Sequence, residues 1–284
     1  MREALHETIR KGLSGLGRLS RPKRDYYQHR STSSSSHHQH EPSTRPRPII
    51  WTYLQDLVRY QDGYEFQNSL VRHKIDHPSA PDWLILLQHH PVYTTGRRQL
   101  SDHQLELERS RLSLLNPRAD FFPTLRGGQI TFHGPGQLVA YPILNLGLMN
   151  LNTRILNPAD NPDLPVGIFI GSQWCKIASV GIQVRRRITS HGFALNIEQE
   201  CEHGFKEIVA CGLRNTQLTS IQSVLAHPQP RITVNDLVRP TVDLFGELSG
   251  MHMKEMDQDC QELDPIGYQL VQKFINSQQQ QQQP

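Results

Sequence analysis

The run Arg126-Gly127-Gly128-Gln129-Ile130-Thr131-Phe132-His133-Gly134-Pro135-Gly136-Gln137 holds the densest set of polar and conformationally unusual residues in the chain. A glycine pair behind an arginine lets backbone N–H groups approach a ligand with no Cβ in the way, as anion- and carbonyl-binding turns require. Gln129 to Phe132 alternates polar and apolar like a half-buried strand, and His133-Gly-Pro-Gly turns the chain toward a second strand, Leu138 to Tyr141. The expectation is a hairpin that gathers Arg126, Gln129, Thr131, His133 and Gln137. No Lys-Ser/Thr follows the second glycine turn, so this is not a phosphate loop. The other reactive side chains are four cysteines, Cys175, Cys201, Cys211 and Cys260. They form no C-x-x-C pair and no regular framework, which fits a reducing compartment and makes each a candidate free thiol.

The elements that must position these groups follow from hydrophobic periodicity. Ile49 to Tyr53 reads as a strand, followed by a helix over 54–74 with Leu54, Leu57, Val58, Tyr64 and Val71 on one side. Trp83 to Leu87 is apolar on both faces and predicts a central strand, which the chain leaves through Pro91 to reach a turn at Gly96. A strand over 166–170 precedes a second hairpin. Its arms are Lys176 to Val184, with Gly181 inside, and Thr189 to Ile197, and its tip is Arg185-Arg186-Arg187. Ile208 to Leu213 is an apolar run closed by Cys211-Gly212. Thr219-x-x-Gln222 offers a capping box, and Thr233 caps a helix over 234–249 that Pro240 should kink. Strands outnumber helices and arrive as hairpins. The fold class is therefore α+β, a largely antiparallel sheet flanked by helices.

The chain has 284 residues, 36% of them hydrophobic, enough for one sizeable core within 48–275. Its net charge of +3 is unevenly placed, with +6 over residues 1–47 and −3 over the rest. That basic, Ser/His-rich stretch carries Leu5, Ile9, Leu13 and Leu16 at helical spacing and resembles a mitochondrial targeting segment followed by a linker. No nucleic-acid-binding motif accompanies its charge, which speaks against a nucleic-acid arm. No apolar run approaches the roughly 20 residues that span a bilayer. The Gln-rich tail, 276–284, is expected to be disordered.

Four segments together resemble one family. Arg126-Gly-Gly-Gln-Ile-Thr-Phe-His133-Gly-Pro-Gly-Gln-Leu-Val-Ala-Tyr141 is similar to the signature of the octanoyl (lipoyl) transferases, which move octanoyl from acyl carrier protein to a lysine of lipoyl domains. Lys176-Ile-Ala-Ser-Val-Gly181 and His191-Gly-Phe-Ala-Leu-Asn196 are similar to its next two blocks, and Cys211-Gly212 to its catalytic turn. The resemblance covers 49–250 and implies a biotin/lipoyl protein ligase-like fold with no metal, cofactor or ATP. Octanoyl-acyl carrier protein would be the donor. Lipoyl domains of 2-oxoacid dehydrogenase complexes, or the glycine cleavage H protein, would be the acceptors, with neither nucleic acid nor membrane involved. By motif, Cys211 would be the acyl-thioester nucleophile and Lys176 its partner. Arg126, Gly127, Gly128, Gln129, Ile130, Thr131, Phe132 and His133, with Ser179, Val180, Gly181, Gly192, Phe193 and Ala194, would line the acyl site.

The chemistry of these residues agrees with that assignment. A thiol attacks as thiolate, and an ammonium such as that of Lys176 stabilises the charged form. Backbone N–H groups around Gly127-Gly128 or Gly192 could hold the developing oxyanion. His133 and His191 could serve as bases or hold loops by hydrogen bonds. The alternatives are an ATP-dependent lipoate or biotin-type ligase, which needs no cysteine nucleophile, and a member impaired by its connector. Only 20 residues separate Leu146 from Gly167, and the prolines at 158, 162 and 165 forbid a long helix. One sheet face is accordingly expected to lie bare.

Overall fold

The computed structural model describes residues 47–97, 101–148, 167–170, 175–208, 217–225 and 231–281. Ten strands run in chain order: β1 Ile49–Val58, β2 Asp82–His89, β3 Val92–Thr95, β4 Asp120–Pro123, β5 Thr131–His133, β6 Gln137–Ile143, β7 Ile168–Ile170, β8 Cys175–Arg185, β9 Ile188–Asn196 and β10 Met253–Glu255. The helices are α1 Tyr60–Asp76, α2 Asp102–Leu115, α3 Ile221–Val224, α4 Val234–Ser249, α5 Cys260–Leu263 and α6 Pro265–Gln281, with a 3-10 segment at Gln199–Glu207. Seven strands form a large sheet in the order β10-β1-β2-β6-β9-β8-β7, and three form a small one, β4-β3-β5. Four pairings of the large sheet are antiparallel, whereas β1 pairs parallel with both β2 and β10. The α+β expectation holds, with α1 as the crossover of one parallel β-α-β unit.

Burial explains the centre. Every residue of β6 is buried and all but Gln88 of β2, because apolar layers cover both faces. On one face Leu84, Leu86, Leu138 and Ala140 pack under Leu237, Val238 and Val242 of α4. On the other, Ile85, Leu87, Val139 and Tyr141 pack with Phe66 and Leu70 of α1 and Val271 of α6. Among the described residues α4 covers one face at β2 and β6, while β8 is half-buried to exposed from Ser179 to Arg185; the connector 149–166, on which the expectation of a bare face rests, lies outside them.

Several expectations are corrected. Leu54, Leu57 and Val58 belong to β1, not to a helix over 54–74, because Leu57 and Val58 continue the parallel ladder opposite Gln88 and His89 after an irregularity at Tyr53. The cap near 219 is Ser220, whose hydroxyl accepts from the Ser223 N–H. Gln222 instead uses its side-chain oxygen to accept from Ile232 N. The glutamine tract is helical as far as Gln281, carried on α6, so disorder does not begin at 276. Helix α2 carries no apolar stripe, with Leu112 its single buried residue, and is set by the capping pair Ser101 and Gln104. Thr233 and Pro240 stand as read, at the cap and inside α4. Residues 1–46 lie outside the described residues.

The main correction concerns the signature stretch. Its two strands do not form a hairpin: β5 pairs with β3 in the small sheet, while β6 pairs with β2 and β9 in the large one. His133-Gly-Pro-Gly therefore passes the chain between sheets. Each strand finds its partners elsewhere in the chain, which a local reading of a Gly-Pro-Gly turn does not reveal.

Candidate active site

The site forms along the seam between the two sheets. Arg126 is 6% exposed and lies along β3. Its Nη2 donates to the Thr94 carbonyl at 2.7 Å and to Thr94 Oγ1 at 2.9 Å, and Nη1 donates to the Gly127 carbonyl at 2.9 Å. The planar fork thereby fixes the glycine loop to the small sheet. The loop also crosses to the large sheet, where Gly127 N–H donates to the Ile182 carbonyl at 3.1 Å. Gly181 must be glycine here, because a Cβ would lie 2.9 Å from the Gly127 carbonyl oxygen. The Gly127 N–H is consequently engaged and is not available as an oxyanion donor.

The blocks expected to line the site face one another. In the β8–β9 ladder Ser179 pairs with Ala194, Val180 with Phe193 and Gly181 with Gly192. Thr131 Oγ1 of β5 reaches Ser179 Oγ at 3.5 Å, joining the small sheet to β8. Phe132 turns into a separate aromatic cluster with Tyr93 and Phe205, where the half-buried Ile130 also packs. Gln129 is half-buried in the bend before β5, and Gly128 sits at φ +88° beside Arg126. Arg185-Arg186-Arg187 makes the hairpin tip, with Arg186 and Arg187 at φ 49° and 67°.

Pairing of β6 with β9 lapses between Ala140↔Phe193 and the Asn145↔Ile188 bridge. Pro142 brings no N–H to this stretch, and its ring and the Ala140 carbonyl fill the space beside Gly192, whose Cβ would fall 2.2 Å from that oxygen. The lapse frees His191 N–H to donate to Gln67 Oε1 at 2.7 Å.

The imidazoles in this seam are buried and neutral. Burial pushes His133 down to about 3, with His89 adding to the shift and the Gln137 hydrogen bond opposing it. Burial and then Arg126 bring His191 to about 3, and burial takes His89 to about 4. Groups this weakly basic are poor proton acceptors near neutrality. Their geometry is that of supports: His133 contacts Gln137 Oε1 at 2.7 Å, and His89 contacts the Val58 carbonyl and the Tyr141 hydroxyl at 2.9 and 2.6 Å.

Lys176 is 1% exposed, on β8. Its N–H donates to the Gln217 carbonyl at 2.8 Å, and its carbonyl accepts from Thr219 N–H at 3.0 Å. Cys211 and Gly212 lie outside the described residues, as do Val209, Ala210 and Arg98. The flanks of 209–216 are described. Ile208 packs with Phe132 and Phe205, Leu218 packs on the same cluster, and Leu218 bridges to Lys176. Among the described cysteines, Cys201 and Cys260 are buried and their thiols are pushed up by burial, which keeps them unreactive. Half-buried Cys175 lies 3.9 Å from Gln217 Oε1.

Sequence patterns did not single out Thr94, Tyr60 or Gln67. Tyr60 stacks on His133 with centroids 5.9 Å apart and planes within 9°. Such residues look in sequence like ordinary strand and helix positions, and only the meeting of two sheets gives them a role.

Comparison with known proteins agrees with this geometry. Residues 59–157 match the lipoyl protein ligase A/B catalytic domain. An octanoyltransferase of Caldicellulosiruptor saccharolyticus is 31% identical over 233 residues, 75% of this chain and 94% of that protein. The mitochondrial octanoyl-[acyl-carrier-protein]:protein N-octanoyltransferase of Danio rerio is 37% identical over 191 residues, 61% of this chain and 83% of that protein. A Thermoplasma acidophilum protein solved with bound lipoic acid shares the fold at 13% identity and a TM-score of 0.52, covering 80% of this chain and 95% of its own. With the signature loop, the paired β8–β9 blocks and buried Lys176 in one seam, these likenesses show that the chain belongs to the octanoyltransferase family of acyltransferases.

Proposed function

We propose that this protein transfers an octanoyl group from acyl carrier protein to a lysine amine of a lipoyl domain, through a thioester on Cys211. The observation that carries the reading is the convergence of the flanks of 209–216 on Phe132 and Lys176. The Cys211 thiolate attacks the donor thioester carbonyl, forming a C–S bond to cysteine and expelling the carrier thiolate, which takes up a proton. The acceptor amine then attacks the Cys211 thioester, a C–N bond forms, the cysteine thiolate leaves and the amine releases a proton. Lys176, as ammonium, favours the thiolate in both steps. Passage from thioester to amide is downhill, so no nucleotide is consumed. The named relative from Danio rerio and the basic 1–47 segment support a mitochondrial location.

Intact mass spectrometry after incubation with octanoyl-carrier protein tests this. An octanoyl adduct is expected on the unmodified chain and on the Cys175→Ala, Cys201→Ala and Cys260→Ala variants, and none on Cys211→Ala. Full turnover by Cys211→Ala would sink the thioester route.

A further inference from the structure

The seam contains a hydrogen-bonded chain whose direction is fixed at both ends. Gln137 Nε2 lies 3.3 Å from the Phe132 carbonyl and 2.9 Å from Asn196 Oδ1, and Asn196 Nδ2 lies 3.0 Å from the Thr219 carbonyl. Carbonyl oxygens only accept, so both amide orientations are determined: each NH2 faces a carbonyl. Gln137 must then present its oxygen to His133 Nδ1, 2.7 Å away, and that nitrogen must carry the proton. Beyond Thr219 the chain continues through Thr219 N–H to the Lys176 carbonyl. Gln137 and Asn196 are 0% and 1% exposed, so water does not compete for these bonds.

We infer that Gln137 and Asn196 are positioning residues: together they hold His133 in its Nδ1–H tautomer and lock it to the backbone that carries Lys176 and leads away from Cys211. Their effect is exerted on one side through the His133 ring, which packs on Tyr60, and on the other through the Lys176–Thr219 bridge. The catalytic part of this inference rests on the reading of Cys211 and Lys176 as the reacting pair; the tautomer part does not.

Asn196→Asp is the sharpest probe, because it keeps shape while replacing the NH2 that donates to Thr219 with an oxygen that repels the carbonyl. Gln137→Glu does the same at the other end, opposing both Phe132 and Asn196 while leaving an acceptor for His133. Nitrogen-15 NMR of imidazole-labelled protein should report an Nδ1–H tautomer for His133 in the unmodified chain. In Gln137→Glu the His133 titration should move up from about 3 toward the ordinary histidine range, because a carboxylate stabilises the imidazolium. In Asn196→Asp, kcat should fall on the order of 10²-fold with KM for a small octanoyl thioester held, as expected when reacting groups are displaced by about 1 Å. Asn196→Gln should not restore the rate, whereas the double variant should lose less than the product of the two single losses. An Nε2–H tautomer in the unmodified chain, or unchanged kcat in a folded Asn196→Asp protein, overturns the inference. Retained turnover in Cys211→Ala would instead count against the thioester route while leaving the tautomer result standing.

Discussion

The seven-stranded sheet is held by Leu, Ile and Val packed on both faces under α4, α1 and α6, whereas the three-stranded sheet rests on a small aromatic cluster and on directional bonds from Arg126. Apolar burial is non-directional and gives stability roughly in proportion to area. Hydrogen bonds in a dry seam add less net energy but fix orientation. The family residues accordingly gather where the second kind of bonding dominates, with the large sheet as an anvil behind them. Gly127, Thr131 and Gln137 each bond across the boundary or beside it.

The largest expected effect sits on the seam itself. His89, His133 and His191 have folded values near 4, 3 and 3 against an ordinary 6.5, so the unfolded chain binds more protons between these limits. Stability is therefore fully present above about pH 6.5 and falls as pH drops toward 4. At about 1.4 kcal/mol per pH unit and group, the loss rivals a whole domain's 5–15 kcal/mol. Thermal melts at stepped pH should show a cooperative Tm decline over that window; a flat Tm would mean that the imidazoles are not buried.

A cavity in the large sheet comes next. Leu86→Ala should cost about 2–5 kcal/mol, or about 5–15 °C in Tm, while the enzyme that remains folded at low temperature keeps its turnover. Loss of turnover without loss of stability would erase the division between anvil and site.

Gly181→Ala inverts that pattern. The new Cβ meets the Gly127 carbonyl at 2.9 Å, so the loop must shift at a cost of about 1–3 kcal/mol while turnover falls on the order of 10²-fold. Equal activity at unchanged Tm would show that the loop tolerates displacement.

The smallest effect is at the hairpin tip. Arg185 and Arg186 are exposed at the turn between β8 and β9. Changing both to Ser should move stability by less than about 0.5 kcal/mol. It should raise KM for octanoyl-carrier protein and flatten its salt dependence, leaving small thioesters unaffected. An equal loss on both substrates would assign the tip a structural role.

Much was legible in the sequence because it is local. Trp83 to Leu87 announced a central strand by being apolar throughout, Thr233 announced α4, and the β8–β9 hairpin with its arginine tip followed from alternation and spacing. The family residues were legible as motifs, since their types and spacing are covalent facts. Which surfaces they would share was not. Whether β5 and β6 pair with each other or part into two sheets depends on strands at 82–95 and 188–196, distant in sequence, and a Gly-Pro-Gly turn permits either outcome. Likewise Leu54 to Val58 became strand because β2 offered a ladder, against a helical periodicity that was real. The tautomer of His133 follows from two carbonyls, at Phe132 and Thr219, that only the tertiary structure brings to the Gln137 and Asn196 amides. Periodicity and motif chemistry are properties of neighbours along the chain, whereas hydrogen-bond direction is a property of neighbours in space.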